Sequence, residues 1–160
     1  MKSLSLILCI LTSPSCGLFE GEPTFERPSE KSVAGTYLVE EVSWFVPDRR
    51  ELKTVLLTLS DSGRYQLRAH DDQLSSPLIP CSSGLWEITP KRGMDLGSRE
   101  TWGVRFTSPN GNRTEAYLLN QMPPYRMMFV DYSRRSQVGE VLILKKSEQG
   151  VRGKADPAIR

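Results

Sequence analysis

A chain of 160 residues, 38% hydrophobic and 25% charged, has the composition of one soluble globular domain with short tails. Lysine and arginine number 21 against 19 aspartates and glutamates, a net charge of +2, a near balance that gives no indication of nucleic-acid binding, and no nucleic-acid partner is expected. The pairs Arg49-Arg50, Lys91-Arg92 and Arg134-Arg135 are short and scattered, and read as solvated loop charge.

In chain order, Lys2 precedes a compact apolar run of Leu4, Leu6, Ile7, Leu8, Cys9, Ile10 and Leu11. A membrane-crossing helix needs about 20 apolar residues, and this run is about half that. A positive charge followed by a short apolar core is the pattern of a secretory signal, assigned here to residues 1–15. The stretch Thr12-Ser13-Pro14-Ser15-Cys16-Gly17 resembles the lipobox of bacterial lipoproteins. Ser15 matches the small residue that precedes the cysteine, while Leu11 stands two places earlier than the usual leucine. The resemblance implies removal of the signal, conversion of Cys16 to a diacylglyceryl cysteine carrying further acyl (palmitate-type) chains, and the membrane as partner through that anchor. Gly17, where an Asp would retain the protein at the inner membrane, implies the outer membrane. Each buried methylene contributes about 0.8 kcal/mol, so one chain holds marginally and two or more hold firmly. Residues 16–32 are rich in Gly, Pro, Ser and charge and read as a flexible tether. Without residues 1–15, Cys16 and Cys81 are the cysteines left. Either Cys16 carries lipid and Cys81 is a free thiol, or the two form a disulfide; each arrangement excludes the other.

Residues 33–146 form the core region, of a size that folds without metals or crosslinks. Runs of two-residue alternation, rich in β-branched and aromatic residues, predict eight strands. They are 35–42, 54–59, 64–69, 85–89, 101–107, 113–119, 125–130 and 140–145. Ser60-Asp61-Ser62-Gly63 and Pro109-Asn110-Gly111-Asn112 are turn signals, the second a strong hairpin signal. No segment keeps a 3.6-residue apolar period over three turns. Longer connections fall at 70–84, 90–100 and 131–139, and the tail 147–160 lacks an apolar pattern and reads as disordered. The expected fold is all-β, an eight-stranded antiparallel meander closed into a barrel, with a two-sheet β-sandwich as the alternative.

The order of several short motifs resembles a group of uncharacterised bacterial lipoproteins with a lipocalin-like β-barrel domain. The matching residues are Gly35-Thr36-Tyr37, Leu57-Thr58-Leu59 with Asp61-Ser62-Gly63-Arg64-Tyr65, Gly84-Leu85-Trp86-Glu87, Pro123-Pro124-Tyr125-Arg126-Met127-Met128-Phe129 and Gly139-Glu140-Val141 with Leu142-Ile143-Leu144-Lys145-Lys146. The resemblance implies a lipocalin-like barrel and carries no activity with it.

Side chains with chemistry are sparse. His70, the one histidine, lies in a loop with Asp71, Asp72, Ser75, Ser76, Cys81, Ser82 and Ser83. These atoms could compose a nucleophile, base and carboxylate, but no G-x-S-x-G elbow accompanies them, and a hydrolase using His70 ranks last. No donor set completes a zinc or calcium site, and no glycine-rich loop opens a helix to cradle phosphate, so no cofactor or metal is expected. The apolar rings and thioether of Tyr37, Tyr65, Trp86, Trp102, Phe106, Tyr117, Tyr125, Met127 and Phe129 are the candidate lining of a pocket inside the barrel, or else the packing of its core. The expected function is non-catalytic: a cell-envelope lipoprotein binding a small apolar or lipidic ligand, or, as the alternative, an interaction or structural module that binds an envelope protein.

Overall fold

Eight strands, each hydrogen-bonded to the one before it, close on themselves when the last pairs with the first. The computed structural model describes residues 21–43, 46, 49–69, 76, 78–91, 99–131 and 140–147. The strands are β1 (Gly35–Val42), β2 (Leu56–Leu59), β3 (Arg64–Arg68), β4 (Ser83–Lys91), β5 (Thr101–Thr107), β6 (Arg113–Leu119), β7 (Arg126–Asp131) and β8 (Glu140–Lys146). Closure is made by β1 against β8, from Tyr37 opposite Lys146 to Val42 opposite Leu142. The barrel is therefore the fold, and the sandwich alternative is set aside: a continuous ring leaves no open sheet edge to split.

The alternation that marks each strand also decides what enters the barrel. Leu57 and Leu59, Tyr65, Trp86, Val104 and Phe106, Ala116 and Leu118, Met127 and Phe129, and Leu142 and Leu144 join Tyr37 and Val42 in one buried cluster to which every strand contributes. Tyr37 and Val42 differ in parity, and both turn inward because the β1–β8 register shifts between Val39 and Glu41. Strand β8 is apolar on both faces, as its unbroken Val141-Leu142-Ile143-Leu144 run requires. Its outward pair, Val141 and Ile143, packs with Leu119 and Met128 in a second cluster outside the barrel, against which Tyr117 and Val130 lie.

An up-and-down barrel places alternate connections at opposite ends. The β2–β3 turn, the β6–β7 loop and the chain entering β1 share one end; the β1–β2 and β5–β6 connections share the other. Each end is stoppered. At the first, α1 (Glu30–Val33) is capped by the Ser29 hydroxyl, which accepts from the Ser32 amide, and it seats Val33 in the main cluster. At the other, Leu52 of α2 (Arg49–Leu52) joins Val46, Val55, Leu78 and Ile79 there.

Strands β3, β7 and β8 shift by one residue at their ends, and three differences from expectation are larger. Thr54 and Val55 donate to the carbonyls of Glu51 and Leu52, so they finish the α2 turn and β2 begins at Leu56. Strand β4 is longer at both ends, reaching Lys91 because Pro90 pairs opposite Trp102 within the ladder. The stretch expected as a tether is attached to the barrel from Glu22 onward. The Thr24 amide donates to the Leu118 carbonyl at 3.0 Å, and the Thr24 carbonyl accepts from the Trp102 amide at 2.9 Å. Thr24 is thus seated between the start of β5 and the end of β6, fully buried, where β5 and β6 part. Residues 1–15, expected as a signal, with Cys16, the His70–Ser75 stretch, Arg134-Arg135 and the tail from 148, lie outside the described residues.

Candidate functional site

The nine candidate pocket residues separate by position. Tyr37, Tyr65, Trp86, Phe106, Tyr125, Met127 and Phe129 lie in the main buried cluster. Tyr65 and Phe106 meet edge to face with ring centroids 5.2 Å apart, and Phe106 stacks on Phe129 at 5.7 Å. Tyr117 does not belong to this set. Alternation with Ala116 and Leu118 turns it outward, where the Lys91 ammonium lies 4.9 Å from its ring centroid. Trp102 is half-buried at the barrel end, with the Arg27 guanidinium 5.5 Å from its ring centroid. No pattern of sequence alternation marks this exception, since Trp102 has the same parity as Val104 and Phe106; Thr24 occupies the space beside it.

The polar ends of the interior rings are treated differently. The Tyr37 hydroxyl donates to the Val33 carbonyl at 2.5 Å, which ties β1 to α1. Burial, and then the nearby Tyr125, push its pKa well above the ordinary phenol value. The Trp86 indole N–H donates to the Ser60 carbonyl at 3.0 Å, and the Trp86 amide to the Gly63 carbonyl, so Trp86 fastens β4 to the β2–β3 turn. The Tyr65 hydroxyl is buried and has no hydrogen-bond partner among the described residues. Burial first, and Cys81 second, push it up to about 12.

Tyr65 also borders a surface crevice of about 430 Å³, with Arg64, Ser83, Gly84, Leu85, Thr107 and Pro109 around it. Leu85 there is exposed, and Cys81 nearby in sequence is an exposed free thiol. A second groove, of about 480 Å³, follows the outside of the β1–β8 seam past Leu38 and Lys146. On the outer wall of β4, β5 and β6, Arg105 bridges Glu87 at 3.1 Å and Glu115 at 2.7 Å, and Lys91 also pairs with Glu115. Burial alone would raise the Glu115 pKa, but the hydrogen bonds and charges of Lys91 and Arg105 outweigh it and hold the carboxyl below its usual value. Every acid of this ladder is matched by a cation, so it is a strut of the wall rather than a reactive site.

Among the described residues no three His, Cys, Asp or Glu side chains gather in a group that could hold a metal, and no helix is long and apolar enough to cross a membrane. His70 and its neighbouring acids lie outside the described residues. What fold and interior together define is a closed, eight-stranded meander barrel whose lumen is occupied by its own side chains. No protein-family model, curated protein or solved structure matches the chain.

Proposed function

We propose that the chain is a non-catalytic, lipocalin-like lipoprotein of the bacterial cell envelope, anchored through acylated Cys16, whose barrel binds an envelope protein at its outer surface. The lipobox-like stretch before Cys16 supports the anchor. The observation that carries the choice of partner is the filled lumen. Side chains from all eight strands meet there, with Tyr37, Phe106, Phe129 and Met127 almost wholly buried and both ends stoppered by Val33, Leu52 and Leu78. An apolar ligand in that space would have to displace buried side chains that every strand contributes, a cost that its own burial must offset.

One observation favours a small ligand as the second reading. Tyr65 buries a hydroxyl without a partner beside the 430 Å³ crevice. A buried hydroxyl left unmade costs about 1–3 kcal/mol, which a ligand offering an acceptor would recover.

The intact mass of membrane-extracted protein tests the anchor, and native mass spectrometry of the purified barrel tests the partner. Loss of residues 1–15 with added acyl mass, and a barrel carrying no small molecule, are the expected results. A soluble species with a Cys16–Cys81 disulfide overturns the anchor. A stoichiometric lipid or metabolite on the barrel replaces the surface partner with the ligand reading.

A further inference from the structure

We infer that the barrel end holding the Glu22–Phe25 strap faces the bilayer, and that the β6–β7 loop with Met122 at its tip is the surface that touches lipid. This rests on the acylation of Cys16 proposed above. The strap is an addition to the sheet. Pro23 bridges Leu119 in antiparallel sense, the Asn120 amide donates to the Glu22 carbonyl at 2.8 Å, and the Thr24 hydroxyl donates to the Asn120 carbonyl at 2.6 Å. The Gln121 side chain clamps it further, donating to the Pro23 carbonyl at 2.6 Å and accepting from the Phe25 amide at 3.3 Å. Glu22 is therefore the first residue fastened to the barrel by these bonds. Gly17 to Gly21 alone separate it from Cys16. Six peptide steps span at most about 20 Å even when fully extended. A tether of that length keeps the strap end close to the membrane, and the opposite end, with α2 and the Pro109–Asn112 turn, is directed away from it.

The chemistry of the strap end agrees. The loop that clamps the strap also carries Met122, 75% exposed and the most exposed large apolar side chain described. The same end carries two aromatic–cation pairs: Arg27 over Trp102, and Arg99 with its guanidinium 5.7 Å from the Phe25 ring centroid. Rings and guanidinium groups in this arrangement suit the headgroup layer, where one part is apolar and the other wet. The exposed acids Glu22, Glu26 and Glu100 share this end and offset the arginines. Contact therefore depends on the acyl anchor and on Met122, and not on anionic lipid.

The test uses the full-length protein, acylated in cells and reconstituted in phosphatidylethanolamine vesicles with and without phosphatidylglycerol. Cys81→Ser frees the chain of its exposed thiol, and spin labels are attached to Met122→Cys or Asn110→Cys. The label at 122 is expected to collide more often with oxygen than with a water-soluble nickel chelate, the label at 110 to show the reverse, and neither to respond to phosphatidylglycerol. Inserting ten Gly-Ser residues after Gly17, which leaves the barrel and strap untouched, is expected to bring the label at 122 out into water. Equal water accessibility at 122 and 110 in protein whose mass includes the acyl chains overturns the orientation while the anchor stands. A mass without acyl chains overturns both, and is seen before any spectroscopy.

Discussion

Two interior tyrosines show how far a residue type specifies its role. Tyr37 and Tyr65 both turn inward, but Tyr37 has the Val33 carbonyl to donate to and Tyr65 has no partner among the described residues. Tyr37→Phe is expected to lose about 1 kcal/mol on urea unfolding, because a buried carbonyl also loses its donor. Tyr65→Phe is expected to be neutral or stabilising, since it removes a desolvated hydroxyl and keeps the ring against Phe106. Burial raises the pKa of both rings, so alkaline pH acts on each. Burial raises the folded-state pKa of Tyr65 from 10.0 to about 12, so the stability linked to its neutral form is complete below the unfolded value. That stability is lost as the pH rises from 10.0 toward 12. Tyr65→Phe should flatten the alkaline fall in stability measured by urea titrations across that interval. The inward parity of Tyr65, Phe106, Met127 and Phe129 was legible in the alternation. The outward parity of Tyr117 was legible too, since it lies between the inward Ala116 and Leu118, yet its aromatic type placed it with the interior rings.

Local sequence located every strand, because a half-buried strand writes its period directly into the chain. Strands β1, β5 and β6 keep their expected limits from end to end. The turns were equally plain. Gly63 and Gly111 hold φ of 73° and 81°, as the Ser60–Gly63 and Pro109–Asn112 signals imply. The helices α1 and α2 were not legible, since four residues are too few to show a 3.6-residue period. What makes them is capping at Ser29 and the burial of Val33 and Leu52. Two glycine variants separate turn from wall. Gly111→Ala meets no atom within contact distance and is expected to cost about 1 kcal/mol through its positive φ alone. Gly103→Ala would drive a methyl group into the Ala116 carbonyl and the Lys91 stem, so β5 and β6 must separate, and a loss above about 2 kcal/mol is expected. Denaturant midpoints at constant slope read both.

At the scale of the whole molecule, the strap is part of the fold and not an appendage. A chain beginning at Gly21 is expected to unfold at the same denaturant concentration as one beginning at Cys16. A chain beginning at Glu26 loses the Thr24 and Gln121 hydrogen bonds and uncovers the opening between β5 and β6. It is expected to be about 3 kcal/mol less stable by the same measurement, at roughly 0.5 kcal/mol, the low end for a net hydrogen bond, for each of the six lost. The sequence by itself determined the strands, their antiparallel order and the turns, since each is carried by neighbours in the chain. Tertiary structure decided closure, the filling of the lumen and the seat of Thr24. Closure needs β1 to find β8, from Leu38 to Lys145, and no local pattern encodes a pairing at that separation. Whether seven inward rings and thioethers line a pocket or fill one depends on the barrel's radius and on what stoppers its ends. Thr24 lies in a stretch of Gly, Pro and charge with no strand period, and it links β5 to β6 only because the two strands part and leave it their hydrogen bonds.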